Sequence, residues 1–184
     1  MPTWLIVVLA IVVVIVLWVI SSYNTLVRLR NRVRDQWAQI DVQLKRRFDL
    51  IPNLVETVKG YTKHESETLE NVVKARNTYL SATTPEAQME ANGELTQAIS
   101  KLFALAEAYP DLKANANFVK MQDDLKETED KISYARQFYN DTVLKYNNKV
   151  EVIPTNIIAG MFGFKKEAFF EAAAAERENV QVKF

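Results

Sequence analysis

The chain has 184 residues, and its 23 Lys and Arg balance its 23 Asp and Glu, so the formal net charge is zero. A nucleic-acid-binding domain usually carries a basic excess on one face, and this balance argues against one. Because the sequence has no cysteine, disulfides, thiol catalysis and iron–sulfur clusters are excluded. Only four glycines, with abundant Ala, Leu, Glu and Lys, favour an all-α protein.

An uncharged apolar run opens the chain. Residues 3–20, TWLIVVLAIVVVIVLWVI, rise about 27 Å as a helix, close to the thickness of a bilayer's hydrocarbon core. No basic side chain precedes the run, which argues against a cleaved signal peptide. The sequence therefore predicts an uncleaved, single-pass transmembrane anchor at residues 1–22. The aromatic and basic residues expected at the span and its interface are Trp4, Trp18, Tyr23, Arg28, Arg30, Arg32 and Arg34.

The charges that flank the span predict its orientation. Four arginines follow it within residues 28–34, whereas only the chain's own amine precedes it. Lys and Arg near the end of a span mark the cytoplasmic side. We therefore expect the N-terminus outside the bacterial inner membrane and the remainder in the cytoplasm, with a periplasmic bundle as the alternative. The same arginines are expected to hold anionic lipid.

Apolar residues recur at helical spacing in four segments of residues 23–150. The segments are 26–51, 52–80, 84–109 and 112–148. Amphipathic helices joined by short turns pack as an antiparallel up-down-up-down four-helix bundle. The predicted fold is thus all-α, with a transmembrane helix that continues into this bundle and an apolar C-terminal tail.

The stretch DVQLKRRFDLIPNLVETVKGY, residues 41–61, predicts the first tip of the bundle. Pro52 disfavours helix at the preceding residue and fits the first turn of a new one. Asp49 is the expected cap of that helix. Arg47 occupies a position where the apolar pattern calls for a hydrophobic residue, so it is expected to secure the tip through backbone carbonyls or Glu56.

An apolar and aromatic tail follows the bundle at residues 151–184. Pro154, Gly160 and Gly163 prevent it from forming one long helix. Two interpretations stay open: these residues cap the open end of the core, or they contact the membrane surface or a neighbouring subunit. The residues predicted for such a contact are Ile157, Ile158, Met161, Phe162, Phe164, Phe169 and Phe170. Residues 175–184 are expected to form a loose end.

Two long stretches resemble the LemA family of bacterial proteins. The first is RNRVRDQWAQIDVQLKRRFDLIPNLVETVKGY, residues 30–61, and the second is ARQFYNDTVLKYN, residues 135–147, followed by AGMFGF. The resemblance covers nearly the whole chain, including the anchor. It implies a membrane-anchored antiparallel helical bundle. It implies no particular chemistry, since no reaction is established for the family.

A four-helix bundle raises the possibility of a di-iron site, which needs two Glu-x-x-His pairs and two further carboxylates. His64 is the one histidine of the sequence, and the residue three before it is Tyr61. The sequence therefore argues against that site, and His64 is interpreted as solvated or hydrogen-bonded. No glycine-rich phosphate loop is present. We expect no cofactor, no metal and no catalytic residue.

Charged residues interrupt the apolar seams of the predicted helices. A lone buried charge is costly, so each is expected to find a partner or to reach water. Helical rise places Arg30 at the height of Glu129 or Glu70, which predicts an ion pair with one of them. Such pairs are expected to fix helix register, and a polar pocket is the functional alternative. The predicted buried polar network comprises Arg30, Arg47, Glu65, Glu70, Glu129 and Arg136.

The run DDLKETED, residues 123–130, carries five acids and one lysine. A charged run on a helix is usually a solvated face. The alternative is an acidic docking face for a basic partner, formed by Asp123, Asp124, Glu127 and Asp130.

Together these features predict a membrane-anchored, self-assembling scaffold without catalytic activity. Its partners would be the lipid bilayer and further copies of itself, because an anchor confines bundles to a plane and raises their effective concentration. The alternative is a signalling or sensory adaptor that binds a cytoplasmic protein through the acidic docking face.

Overall fold

The computed structural model describes residues 2–62 and 65–170, and every regular element in these residues is helical. The predicted all-α class is confirmed in this respect. The elements are α1 (Thr3–Lys59), α2 (Ser66–Ser81), α3 (Pro85–Ala106), α4 (Pro110–Lys113), α5 (Ala116–Glu151) and α6 (Thr155–Met161).

The beginning of α1 is apolar and exposed. Its most apolar window of 18 residues has a mean hydropathy of 3.2, and none of that window is buried within the chain. Large side chains from Trp4 to Ile20 point outwards. A continuous apolar surface of this kind needs an apolar surrounding. Among the described residues, α1 is the one helix long and apolar enough to cross a membrane.

The chain divides into two compact units. The first combines residues 1–39 with residues 137–169. Here α1 and α5 contact each other through Trp37 and Tyr139, whose rings meet edge to face with centroids 5.5 Å apart. Such aromatic pairs stabilise a core beyond their buried area. The larger buried apolar residues of this unit are Leu26, Val33, Tyr139, Val143, Tyr146, Ile158 and Phe164.

The second unit combines residues 40–136 with residues 170–184, of which 171–184 lie outside the described part of the chain. Phe48 of α1 stacks on Tyr79 of α2 at 4.0 Å, and Phe103 of α3 meets Phe118 of α5 at 6.1 Å between centroids. The larger buried apolar residues of this unit include Ile40, Leu44, Ile51, Leu54, Val58, Val72, Leu95, Ile99, Leu102, Leu112, Leu125 and Ile132.

Pro52 lies inside α1, so the predicted hairpin tip at Pro52 with Asp49 as its cap is wrong. The chain turns only after Lys59, and the next helix begins at Ser66. Proline lacks the N–H that would bond the carbonyl four residues earlier, which here belongs to Phe48. The side chain of Arg76 on α2 donates from Nε to that carbonyl at 3.3 Å. The structure thus supplies from another helix the donor that proline removes.

The predicted start of the third helix at Thr84 is confirmed. The Thr84 hydroxyl accepts a hydrogen bond from the N–H of Ala87 at 3.2 Å, and Pro85 follows in the first turn. This is the N-cap arrangement that the sequence favours.

The predicted fourth helix is divided in the structure. Residues 110–113 form the short α4, and α5 begins at Ala116. The Asn115 side chain causes the restart, because its Oδ1 accepts from the N–H groups of Asn117 and Phe118 at 2.9 and 3.1 Å. These two donors would otherwise be unpaired at the beginning of a helix.

The role of Arg76 at the proline leads to a first prediction. Replacing Arg76 with Met should lower the free energy of unfolding by about 1 kcal/mol, since the Phe48 carbonyl loses its donor. In a Pro52→Ala background, Arg76→Met should lower the free energy of unfolding by clearly less, because the backbone N–H restored at position 52 donates to the Phe48 carbonyl. Thermal unfolding of the four full-length variants in detergent, followed by circular dichroism, measures this coupling. Equal costs in both backgrounds would contradict the account.

Candidate functional site

Arg47 is the most deeply buried charged side chain among the described residues, at 3% exposure. Its Nη1 donates to Oδ1 of Asn92 at 2.9 Å, and its Nη2 donates to the hydroxyl of Thr96 at 3.1 Å. The carboxylate of Glu129 lies 3.3 Å from Nη1. The guanidinium of α1 therefore contacts both α3 and α5, and its fork of donors suits several acceptors at once.

This network corrects two expectations. Glu129 pairs with Arg47, so the predicted pairing of Glu129 with Arg30 is wrong. Arg47 takes side-chain acceptors on α3 and α5, whereas Glu56 is exposed and lies 3.8 Å from Lys59. The expected pairs were based on helical rise counted from a turn at Pro52. Because α1 continues to Lys59, Arg47 lies within a helix of the second unit and not beside a turn. The position of the turn therefore determined the partners.

Arg30 and Arg136 each lie over an aromatic ring of the tail. The guanidinium carbon of Arg30 is 4.9 Å from the ring centre of Phe164, within the first unit. That of Arg136 is 4.5 Å from the ring centre of Phe170, within the second unit. A guanidinium over a ring face is attracted by the ring's quadrupole. The tail thus contributes to the surroundings of both arginines, which the seam pattern did not indicate.

The two remaining residues of the predicted network do not join it. The half-buried carboxylate of Glu65 accepts a hydrogen bond from the Tyr109 hydroxyl at 3.4 Å. Glu70 is exposed on α2. Of the six residues predicted to form one network, the structure brings only Arg47 and Glu129 together.

Side chains of α5 hold a non-helical segment of the tail, residues 164–169, which we name the strap. The Asn147 side chain bonds the backbone of Glu167 in both directions, at 2.9 and 3.0 Å. The hydroxyl of Tyr146 donates to the carbonyl of Lys165 at 2.8 Å, and that of Tyr139 donates to the carbonyl of Ala168 at 3.0 Å. These hydrogen bonds pair backbone groups of the strap that have no partner within a helix.

Sequence reasoning missed this arrangement. Tyr139 and Tyr146 lie in the second of the two LemA-like stretches, and each is buried. Their hydroxyls were not given partners, although a buried phenol usually has one. Burial raises the pKa of Tyr146 above its usual value, and the nearby Glu167 adds to the increase, while Arg30 and Arg34 oppose it. The phenol therefore remains a neutral donor to the strap at neutral pH.

The predicted tail residues separate into two groups. The buried group packs within the chain, and the exposed group faces outwards. Tyr23 of α1 meets both groups, because its ring lies 4.8 Å from that of Phe162 and 5.7 Å from that of Phe164. The buried residues are Ile158, Phe164 and Phe170, and the exposed ones are Ile157, Met161, Phe162 and Phe169.

The residues predicted for the membrane interface also differ in exposure. Trp4, Trp18 and Tyr23 are exposed on α1. Three of the four arginines that follow, at positions 28, 32 and 34, are exposed, and Arg30 is half-buried against the ring of Phe164. The first half of α1 therefore presents an apolar surface followed by a basic one.

The acidic residues of α5 are largely exposed. Asp123, Glu127 and Asp130 face solvent, and Asp124 is half-buried. The carboxylate of Glu127 accepts from Lys131 at 2.6 Å and lies 3.6 Å from Arg46. The hydrogen bond from Lys131 lowers the pKa of Glu127, and the charges of Lys131 and Arg46 act in the same direction. Part of this face is thus neutralised within the chain.

An open groove of about 980 Å³ lies between the end of α1 and α2, and we name it the α1–α2 groove. Val55, Leu69 and Val73 form its apolar part. Four charged residues at its edge comprise two acids and two bases, Glu56, Glu70, Lys59 and Lys74. A concave apolar surface with a polar edge is typical of a contact site for another molecule.

The remaining chemistry of the described residues is limited. No group of three or more His, Cys, Asp and Glu side chains among them is placed to hold a metal ion. His64 lies outside the described residues, so its interpretation stays a prediction.

The architecture and these surfaces define a membrane-associated, all-helical protein with an apolar N-terminal helix. The family model described as LemA family matches residues 36–184. The chain belongs to the LemA family, as its two long motifs indicated.

Named relatives agree with this assignment. Protein LemA of Metamycoplasma hominis is 26% identical over 165 residues, covering 88% of this chain and 74% of that protein. Magnetosome protein MamQ 2 of Paramagnetospirillum magneticum is 23% identical over 190 residues, covering 89% and 70%. Magnetosome protein MamQ of Magnetospirillum gryphiswaldense is 21% identical over 182 residues, covering 85% and 67%. None of these names denotes an enzyme.

The Arg47 network leads to a second prediction. Glu129→Ala removes the carboxylate beside a buried guanidinium and should lower the free energy of unfolding by about 1–2 kcal/mol, since one partner of this ion pair is buried and the other is partly exposed. Asp130→Ala changes the neighbouring, exposed acid and should cost less than about 0.5 kcal/mol. Thermal or urea unfolding of the full-length variants compares them. Equal effects would show that the pair does not stabilise the fold.

Proposed function

We propose that the protein is a membrane-anchored scaffold without catalytic activity that assembles with further copies of itself. The observation that carries this proposal is the α1–α2 groove, an open apolar surface with charges of both signs at its edge. The anchor supports it, because confinement to a plane raises the effective concentration of the chains.

The arrangement proposed for the soluble part is an antiparallel four-helix bundle at residues 23–150, between an anchor at 1–22 and a tail at 151–184. Contacts within the second unit support it. Arg47 of α1 bonds to α3 and lies beside Glu129 of α5, and Phe48 of α1 stacks on α2. Four helical segments that contact one another in this way form the usual core of a bundle.

The proposed orientation places the bundle in the cytoplasm of a bacterium, with the N-terminus outside the inner membrane. It rests on the exposed Arg28, Arg32 and Arg34 directly after the apolar stretch. Basic residues at this position favour the cytoplasmic side and bind anionic headgroups. A periplasmic bundle is the alternative orientation.

The occupant proposed for the α1–α2 groove is the same groove of a second copy. A two-fold contact between identical surfaces requires that the surface complement itself. Two acids, Glu56 and Glu70, and two bases, Lys59 and Lys74, satisfy that requirement, since a two-fold rotation allows each sign to face the other. Val73, which is 41% exposed, is the apolar side chain of the groove with the most area to lose water.

The groove gives a third prediction. Val73 and Val119 are both on helices of the second unit and are nearly equally exposed, at 41% and 42%, but only Val73 lines the groove. Val73→Lys should weaken self-association of the full-length protein at least about tenfold, because it places a charge in the contact. Val119→Lys should leave it unchanged. Light scattering in detergent and subunit counting in lipid nanodiscs measure the assembly.

The result that would overturn the scaffold is a wild-type protein that is monomeric both in detergent and in nanodiscs. Equal weakening by both substitutions would refute the groove as the contact while leaving self-assembly in place.

The second candidate is a membrane-tethered signalling or sensory adaptor. It is favoured by the exposed acids of α5, chiefly Asp123, Glu127 and Asp130, which present an acidic docking face to a basic partner in the cytoplasm. The ion pairs of Glu127 with Lys131 and Arg46 weaken this candidate, because they neutralise the centre of the face.

Charge reversal separates the two functions and gives a fourth prediction. Asp123→Lys with Glu127→Lys should leave every cross-linked product in native membranes unchanged, homo-oligomers included, if the protein is a scaffold. Loss of a cross-linked second protein, with retention of homo-oligomers, would instead support the adaptor. Glu90→Lys with Glu94→Lys is the matched control, since these exposed acids lie one turn apart on α3.

A further inference from the structure

The short helix α6 lies beside the end of the apolar stretch of α1. Its first residue, Thr155, lines a small cavity of about 190 Å³ together with Trp18, Ser22 and Thr25. Just after its last turn, the ring of Phe162 packs against Tyr23 at 4.8 Å. The start of α6 therefore lies near the part of α1 between residues 18 and 25, and the residue after α6 contacts it.

The two faces of this segment differ in burial. Ile158 and Ala159 are buried, and they attach α6 to the first unit. The opposite face carries large apolar side chains that point away from the chain, and Met161 is 72% exposed. Positions 157 and 161 of α6 are four apart, which aligns them on one side of the helix. The exposed apolar residues are Val152, Ile153, Ile157, Met161 and Phe162.

The strap holds α6 in this position. Phe164 is buried directly after the helix, and its N–H donates to the carbonyl of Ala159 at 2.9 Å. Asn147 and Tyr146 of α5 then bond the strap at Glu167 and Lys165. Because the chain is tied on both sides of Met161, the apolar face is a fixed surface.

We propose that α6 is an interfacial helix whose apolar face enters the same leaflet as the adjacent end of the transmembrane helix. Tyr23 lies three residues beyond Ile20, the end of the apolar run, which is about 4.5 Å along a helix. The level of Phe162 is thus the boundary between hydrocarbon and headgroups. Apolar helices at this boundary bury one face by about 5–10 Å.

Lipid fits this surface better than a second copy of the chain does. The surface continues the exposed apolar surface of the span, from Trp18 past Tyr23 to Phe162. A bilayer that surrounds the span reaches the neighbouring residues at the same level without any further partner. Lys149 and Lys165 are exposed at the edge of the same region, where anionic headgroups are favourable for Lys.

The consequence is a second point of attachment to the membrane. A single helix allows the soluble part to rotate and tilt about the span, whereas a helix bound across the headgroups restricts both motions. The inference rests on the membrane anchoring within the proposed function, and it is independent of self-assembly.

Because the sequence has no cysteine, single cysteines can test the inference in the full-length protein. Met161→Cys is labelled with an environment-sensitive fluorophore and reconstituted at high dilution into vesicles of phosphatidylethanolamine and phosphatidylglycerol with brominated acyl chains. Val13→Cys, in the exposed span, is the positive control, and Val119→Cys, exposed on α5, is the negative control. Flotation confirms that each protein is anchored, and circular dichroism confirms that it is helical.

The expected result is quenching of the Met161 label several-fold stronger than that of the Val119 label and approaching that of the Val13 label. A Met161 label that is anchored yet no more quenched than the Val119 label would overturn the inference while leaving the anchor intact. A Met161 label that is shielded from water only at high protein density, and that a spin-labelled second copy quenches, would also overturn the inference. In that case the apolar face would contact another chain and not lipid. If Met161→Cys loses helicity, the same comparison at Ile153→Cys, outside α6, replaces it.

Discussion

The continuity of α1 through Pro52 is the constraint on which the other contacts depend. One helix carries the apolar stretch at its beginning, the arginines after it, and Arg47 further along. Proline in a helix interior costs about 3 kcal/mol, and the structure offsets this with buried neighbours. Ile51 and Leu54 are fully buried on either side, and Arg76 bonds the carbonyl that proline leaves unpaired. Packing therefore overrides a local signal for a turn.

One deeply buried polar side chain in each unit is paired with groups of other elements. In the second unit, Arg47 is almost fully buried and has neutral acceptors as well as Glu129. In the first unit, Asn147 is buried and bonds a backbone N–H and a carbonyl of the strap. Such satisfied groups specify a register, because a shift of either partner would leave a buried donor or acceptor unpaired.

The exposed surfaces carry the argument for the proposed function. Three surfaces differ in chemistry: the apolar stretch of α1 with α6 beside it, the α1–α2 groove with its balanced charges, and the partly neutralised acidic face of α5. Apolar surfaces indicate lipid or close contacts with protein, and a solvated acidic face needs no partner.

Some properties of this protein are determined by the sequence alone. The apolar span, the all-helical class and the start of α3 at Thr84 each depend on neighbouring residues, through hydropathy, propensity and capping, so they were predictable. The LemA motifs likewise indicated the family, because they are contiguous patterns in the sequence.

Tertiary structure alone decided the partners of the charged residues and the place of the tail. Whether Pro52 ends a helix depends on what packs against Ile51 and on a donor from α2, and neither is near in sequence. The partners of Arg30 and Arg47 then follow from the position of the turn, since a shift of the turn after α1 changes which residues face each other. The strap is a contact between residues about 20 apart or more, formed by backbone groups that carry no sequence signal of their own. Local chemistry therefore specifies helices, whereas the pairing of buried charges and the docking of a tail depend on three-dimensional proximity.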